Sequence, residues 1–117
     1  MAIVNVTRSA TLARHEDVAD SFWSRGKGLI GRRHALEDHG LVIRPCNAIH
    51  TGFLSFPIDV LYLDRQSRVL RILPALQPWR IGSIVWRGKT VVELPAGTAA
   101  RTGTIIGDII AYRDEAL

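Results

Sequence analysis

The run "IDVLYLD", residues 58–64, restricts the fold more than any other stretch of the chain. Side chains alternate along a strand, so Ile58, Val60 and Tyr62 point to one face while Asp59, Leu61 and Leu63 point to the other. Both faces are largely apolar, and only a central strand covered on both sides hides them. Asp59 is the exception within it. An isolated carboxylate on an apolar face is too costly to bury, so it requires a partner. Arg25, Arg32 or Arg33, His50, or backbone N–H groups of a neighbouring loop qualify.

The flanking sequence supplies the rest of a sheet. Turn signals stand at "DRQS" (64–67), "RGK" (87–89), "LPAG" (94–97) and "IGD" (106–108), with runs rich in Val and Ile between them. "RVLRIL" (68–73) is expected to return antiparallel to 58–63 as a hairpin. A second hairpin is expected from "SIVW" to "TVVEL" around "RGK", and "GTIIGDIIAYR" reads as a short strand, a glycine turn and a last strand. This spacing predicts an antiparallel β-sandwich or barrel-like domain. One short N-terminal helix is expected over 21–31, "SFWSRGKGLIG", where Phe22, Trp23, Leu29 and Ile30 share a face. At 117 residues, one core and one domain, 1–117, are expected.

Several function classes recede on composition. No apolar run approaches the roughly 18 residues of a membrane-spanning helix. The start lacks the pattern of a secretory signal, so a cytoplasmic location and no membrane partner are the expectations. Cys46 is the single cysteine and forms no internal disulfide. The net charge of +4 would suit an anionic partner, but thirteen of fifteen basic residues are arginines spread along the chain. Nucleic-acid binding, which wants a dense basic stripe interleaved with aromatics, is therefore not expected.

The chemistry-bearing residues gather in "CNAIHTGFLSFPIDVLYLD", 46–64. His50 as a general base would use Asp59 to hold its tautomer, with Thr51 or Cys46 as nucleophile. No nucleophile elbow of the G-x-S-x-G type accompanies them. Cys46-x-x-x-His50 offers two metal ligands where structural zinc takes four, so no metal and no cofactor are expected. "LQPWRIG" sets Trp79 directly after Pro78 in a loop, presenting an aromatic platform expected to be partly exposed. Glu93 at a strand end and Asp108 in a turn read as structural carboxylates, Asp108 through bonds to its local backbone. Arg25 belongs with them as a structural polar residue.

Taken in order, "RGKGLIGR" (25–32), 46–64, "LQPW" (76–79), "VVELPAG" (91–97) and "GTIIGD" (103–108) resemble the domain of unknown function 192 family of bacteria and archaea. The resemblance spans roughly 17–110 and implies a mostly antiparallel β domain with little helix and no established activity. Its motif positions fall here on Arg25, Gly28, Gly31 and Arg32, on His50, Thr51, Pro57 and Asp59, and on Glu93, Gly97, Gly107 and Asp108. Ile30 and Leu54 stand where the family often has methionine, and Gly52 where a bulky residue is common. These departures touch the lining of a cleft more than the fold.

The leading expectation is a non-catalytic binding domain. Its polar cleft, formed by Arg32, His50, Thr51 and Asp59 and edged by Phe53 and Trp79, would take a small polar molecule, a saccharide or a peptide segment. The alternatives are a hydrolase-like enzyme using His50 and Asp59, and an interaction module in which Arg32, Asp59 and Glu93 only lock the fold.

Overall fold

The computed structural model describes residues 1–19, 38–49 and 56–117. The chain runs β1 (Ala2–Asn5), β2 (Ala10–Ala13), β3 (His15–Ala19), β4 (His39–Ile43), β5 (Ile58–Leu63), β6 (Val69–Leu76), β7 (Thr90–Pro95), helix α1 (Thr98–Thr102) and β8 (Ile110–Arg113). The helix expected over 21–31, with Arg25, Arg32 and Arg33, lies outside the described residues, as do His50, Thr51 and Phe53. The helix that is described comes late, between β7 and β8.

Two sheets form, and neither closes into a barrel. The smaller is antiparallel in the order β2-β1-β8, and the larger follows β3-β4-β7-β5-β6. All its pairings are antiparallel except β3 with β4, a parallel pair that the sequence reading did not anticipate. Only Arg14 separates β2 from β3, so the chain turns directly from one sheet into the other.

β5 sits between β7 and β6, and every one of its six residues is buried. Its alternation divides the interior into two layers. Leu61 and Leu63 face inward, packing with Val42, Val92 and Leu94 against Ile3, Leu12 and Ile110 of the smaller sheet. Ile58, Val60 and Tyr62 face outward into a second cluster with Leu41, Ile43, Phe56 and Val91. That outer layer is covered by loop residues Cys46, Ile49 and Val85. Strand β6 closes one edge and is bulged. Ile58 and Val60 of β5 oppose Leu76 and Leu73, so two residues of β6, Pro74 and Ala75, answer the single Asp59 of β5. Pro74 lies in that bulge, where its missing N–H breaks no ladder.

The expected 58–63/68–73 hairpin is present, but the one proposed around "RGK" is not. β7 pairs with β4 and β5, and residues 83–86 are loop. Ile84 and Trp86 of that stretch project into solvent, so its apolar character does not mark a buried strand. Residues 103–107 likewise form a turn, and only Ile110–Arg113 forms a strand there.

A buried polar network joins the ends of the smaller sheet. Asn5 Nδ2 donates to Thr104 Oγ1 at 3.0 Å and to Asp108 Oδ2 at 2.9 Å. The same Asp108 oxygen accepts from Arg8 Nε at 3.1 Å and from the Ile105 backbone N–H at 3.0 Å. Burial alone would raise the Asp108 pKa, but the bonds from Asn5, Ile105 and Arg8 outweigh it and hold the carboxyl below 3.8. Asp108 thus makes its expected local backbone bond and also fastens a segment some hundred residues away in sequence.

Candidate functional site

Asp59 is 1% exposed, and its partners are backbone amides. Oδ1 accepts from Ala75 N at 2.8 Å and Gly97 N at 3.2 Å, and Oδ2 from Ala99 N at 2.8 Å. Each donor exists for a local reason. Ala75 is the bulged residue of β6 with φ 49°, which turns its N–H out of the ladder. Gly97, at φ 94°, makes the left-handed turn into α1 and offers no side chain to cap it. The carboxylate from β5 does so instead, supplying the acceptor that the first helical amides lack. Of the partners proposed from sequence, the backbone N–H alternative is the one these contacts satisfy.

Glu93 is buried too, in register with Leu41 and Val60. Its neighbours in β7 sort by alternation: Val92 and Leu94 face the inner core, and Val91 faces the outer cluster. Glu93 therefore shares the outer face with Tyr62. The Tyr62 hydroxyl is buried and has no hydrogen-bond partner among the described residues. Burial, with added repulsion from Cys46 and, more weakly, from Glu93, outweighs the opposing pull of Arg71 and pushes its pKa up to about 12. Cys46 donates its thiol to the Ala48 carbonyl at 2.9 Å.

Over this outer face two loop segments are stitched together. Cys46 N donates to Lys89 O at 3.0 Å, Val85 N to Asn47 O at 2.9 Å, and Gly82 N to Ile49 O at 2.7 Å. Lys89 N donates to Leu63 O at 2.8 Å, anchoring the pair to β5. Close approach at Gly82 requires glycine: an added Cβ would stand 2.7 Å from both Ile49 Cγ2 and Tyr62 Oη. Beside this contact opens a cleft of about 590 Å³, lined by Ala48, Ile49, Trp79, Arg80, Ile81, Gly82 and Ile84. Its lining is predominantly apolar, and of the residues expected to form or edge a polar cleft, Arg32, His50, Thr51 and Phe53 lie outside the described residues.

The cleft rim is an exposed hydrophobic patch. Trp79 is 66% exposed, Ile81 87%, Ile84 58% and Trp86 83%. Four such residues within eight positions exceed the scattered apolar exposure normal for a soluble surface. Trp79 also holds φ 63°, a left-handed conformation uncommon for a bulky residue. Pro78 fixes the preceding corner of that turn.

Of the sequence candidates, Trp79 lines the cleft and is exposed as expected, whereas Asp59 is committed to amides at the β6 bulge and the start of α1. Ile84 and Trp86 were missed because "SIVW" reads as strand by composition, and Ile81 because Trp79 alone was singled out in "LQPWRIG". Gly82 and Gly88, which bracket that stretch, are the local signal of a loop. Among the described residues, no three His, Cys, Asp or Glu side chains gather as a metal site. Nor, among them, is any helix long and apolar enough to cross a membrane.

Comparison with known proteins places this geometry among relatives. The model of the family DUF192, described as "Uncharacterized ACR", matches residues 4–112. A UPF0127 protein of Pyrococcus horikoshii is 32% identical over 117 residues, covering 94% of this chain and 97% of its own. A UPF0127 protein of Thermococcus gammatolerans is 32% identical over 114 residues, covering 94% and 74%. Among solved structures, a protein of unknown function from Novosphingobium aromaticivorans superposes with TM-score 0.80 at 21% identity, over 96% of this chain and 84% of its own.

Proposed function

Because this chain belongs to the DUF192 family, whose description assigns no reaction, its function rests on its own surface, and we propose a non-catalytic binding domain. Its site is the cleft beside Gly82, and its ligand is a peptide segment that seats an apolar side chain there. The observation that carries this reading is the lining. Ile49, Trp79, Ile81 and Ile84 wall a concavity large enough for a side chain, and Trp86, two residues beyond Ile84 in sequence, is also exposed. Mostly apolar walls with few polar groups are the usual form of a binding cleft. A small polar molecule or a saccharide would find few hydrogen-bonding groups among these residues.

The hydrolase alternative draws less support. Asp59 is buried, and three backbone amides already occupy most of the roughly four acceptor sites of its carboxylate. The interaction-module reading agrees with the structural work Asp59 does, and the cleft adds to it a place for the partner.

Thermal-shift screening of short peptides, saccharides and metabolites on the wild type and Trp79→Ala tests the proposal. A ligand at 100 times its Kd stabilises by about 2.7 kcal/mol. Peptides that stabilise the wild type and not the variant are the expected result. Hits confined to metabolites or sugars, or equal shifts in both proteins, would refute it.

A further inference from the structure

Granted that the cleft binds a peptide segment, we infer that its partner is acidic: a segment with carboxylates flanking one large apolar side chain. The inference rests on how charge is arranged around the cleft. Between Asp64 and Glu93 the chain carries Arg65, Arg68, Arg71, Arg80, Arg87 and Lys89 and no acidic residue. This stretch includes β6 and the whole loop that bears Trp79, Ile81, Ile84 and Trp86.

Arg80 lines the cleft itself. Arg71 is the cross-strand partner of Tyr62, and directly paired residues share a sheet face, so Arg71 is exposed on the outer face with the cleft. Arg87 and Lys89 are exposed immediately after Trp86. Asp64, at the start of the stretch, turns its Oδ1 to the Gln66 and Arg68 amides. Glu93, at its end, is buried. An apolar rim set among cations selects a ligand with the opposite sign beside its anchor, and such complementarity speeds encounter and rejects wrong partners.

Other occupants fit less well. A second copy docking through the same patch would bring these cations against themselves, because a two-fold interface places one surface on its own equal. A nucleic acid would stack on aromatics, yet Ile81 and Ile84 form half of the exposed apolar set. A lipid surface asks for a protruding apolar face, whereas Ile49 and Gly82 lie in a concavity.

The test uses fluorescein-labelled nine-residue peptide pools with a fixed central Phe or Leu. The flanking positions are Asp/Glu in one pool and Gln/Asn in the other. Fluorescence polarisation on the whole protein should show the acidic pool binding about tenfold tighter at low ionic strength, a preference that shrinks in high salt. Arg87→Glu combined with Lys89→Glu should abolish the preference, and Ile81→Asp should abolish binding of both pools. All three positions are exposed, and unchanged thermal melts confirm that the variants fold. Equal binding of both pools, lost in Ile81→Asp, would overturn the acidic partner and leave the cleft standing. Binding of neither pool would overturn both. Binding to phosphatidylglycerol vesicles or single-stranded DNA, with neither pool bound, would replace the peptide with that partner.

Discussion

Replacing Asp59 with asparagine isolates the contribution of a single buried charge. Asparagine retains one carbonyl oxygen, which can keep the amides of Ala75 and Gly97 that Oδ1 holds at 2.8 and 3.2 Å. Its NH₂ group then takes the place of Oδ2 and meets the Ala99 N–H, which donates at 2.8 Å in the wild type. Two donors would face each other in a site that water does not reach. Leaving one buried donor unsatisfied costs about 1–3 kcal/mol, and each surviving bond weakens by roughly 0.5–1 kcal/mol when its acceptor loses its charge. The expected loss is about 3–4 kcal/mol, a large share of the roughly 5–15 kcal/mol by which domains of this kind are stable. Urea denaturation should show a midpoint lower by about 2 M at an unchanged m-value near 1.5 kcal/mol/M. Peptide binding at low temperature, where the variant is folded, should stay within about twofold of wild type, the size of an indirect effect. A stability loss under about 1 kcal/mol, or a fold left intact with binding abolished, would refute the assignment of Asp59 to the backbone.

Other perturbations follow from the same contacts. Tyr62→Phe removes a buried hydroxyl that makes no hydrogen bond among the described residues, so urea melts should show no loss of stability and a gain of up to about 1 kcal/mol. Asp108 has a folded pKa below its unfolded value, so its contribution is present above pH 3.8 and lost as pH falls through the folded value. Denaturant midpoints below pH 4 should therefore fall more steeply in the wild type than in Asp108→Asn. Gly40→Ala puts a Cβ 2.6 Å from Ile3 Cδ1 and 2.9 Å from Leu94 Cδ2 in the inner core, and should destabilise by about 1–3 kcal/mol in the same assay.

The parts of the fold legible in sequence were those set by alternation over short distances. "IDVLYLD" carried its burial on both faces in its own pattern, and "DRQS" fixed the antiparallel return of β6. The need for a partner at Asp59 was also legible, since a buried carboxylate demands one whatever the fold. Its donors were less so, because each amide is freed by a different tertiary event, a bulge at Ala75 and a left-handed turn at Gly97. The strand misread at 83–86 has a related cause. Apolar composition reports what avoids water and does not distinguish a core strand from a surface kept for a partner. The pairing of β1 with β8 had no local signal at all.

That pairing bears on the order of events during synthesis. Ala2 lies opposite Arg113 and Asn5 opposite Ile110. β1 is therefore made about a hundred residues before its partner β8. At roughly 5–20 residues per second, β1 waits about 5–20 s for that neighbour. Meanwhile the β2 hairpin can shield only one of its edges. A nascent chain of this protein carries an open, apolar strand edge on β1 until β8 has been made, and that edge is where a chaperone would bind to most effect.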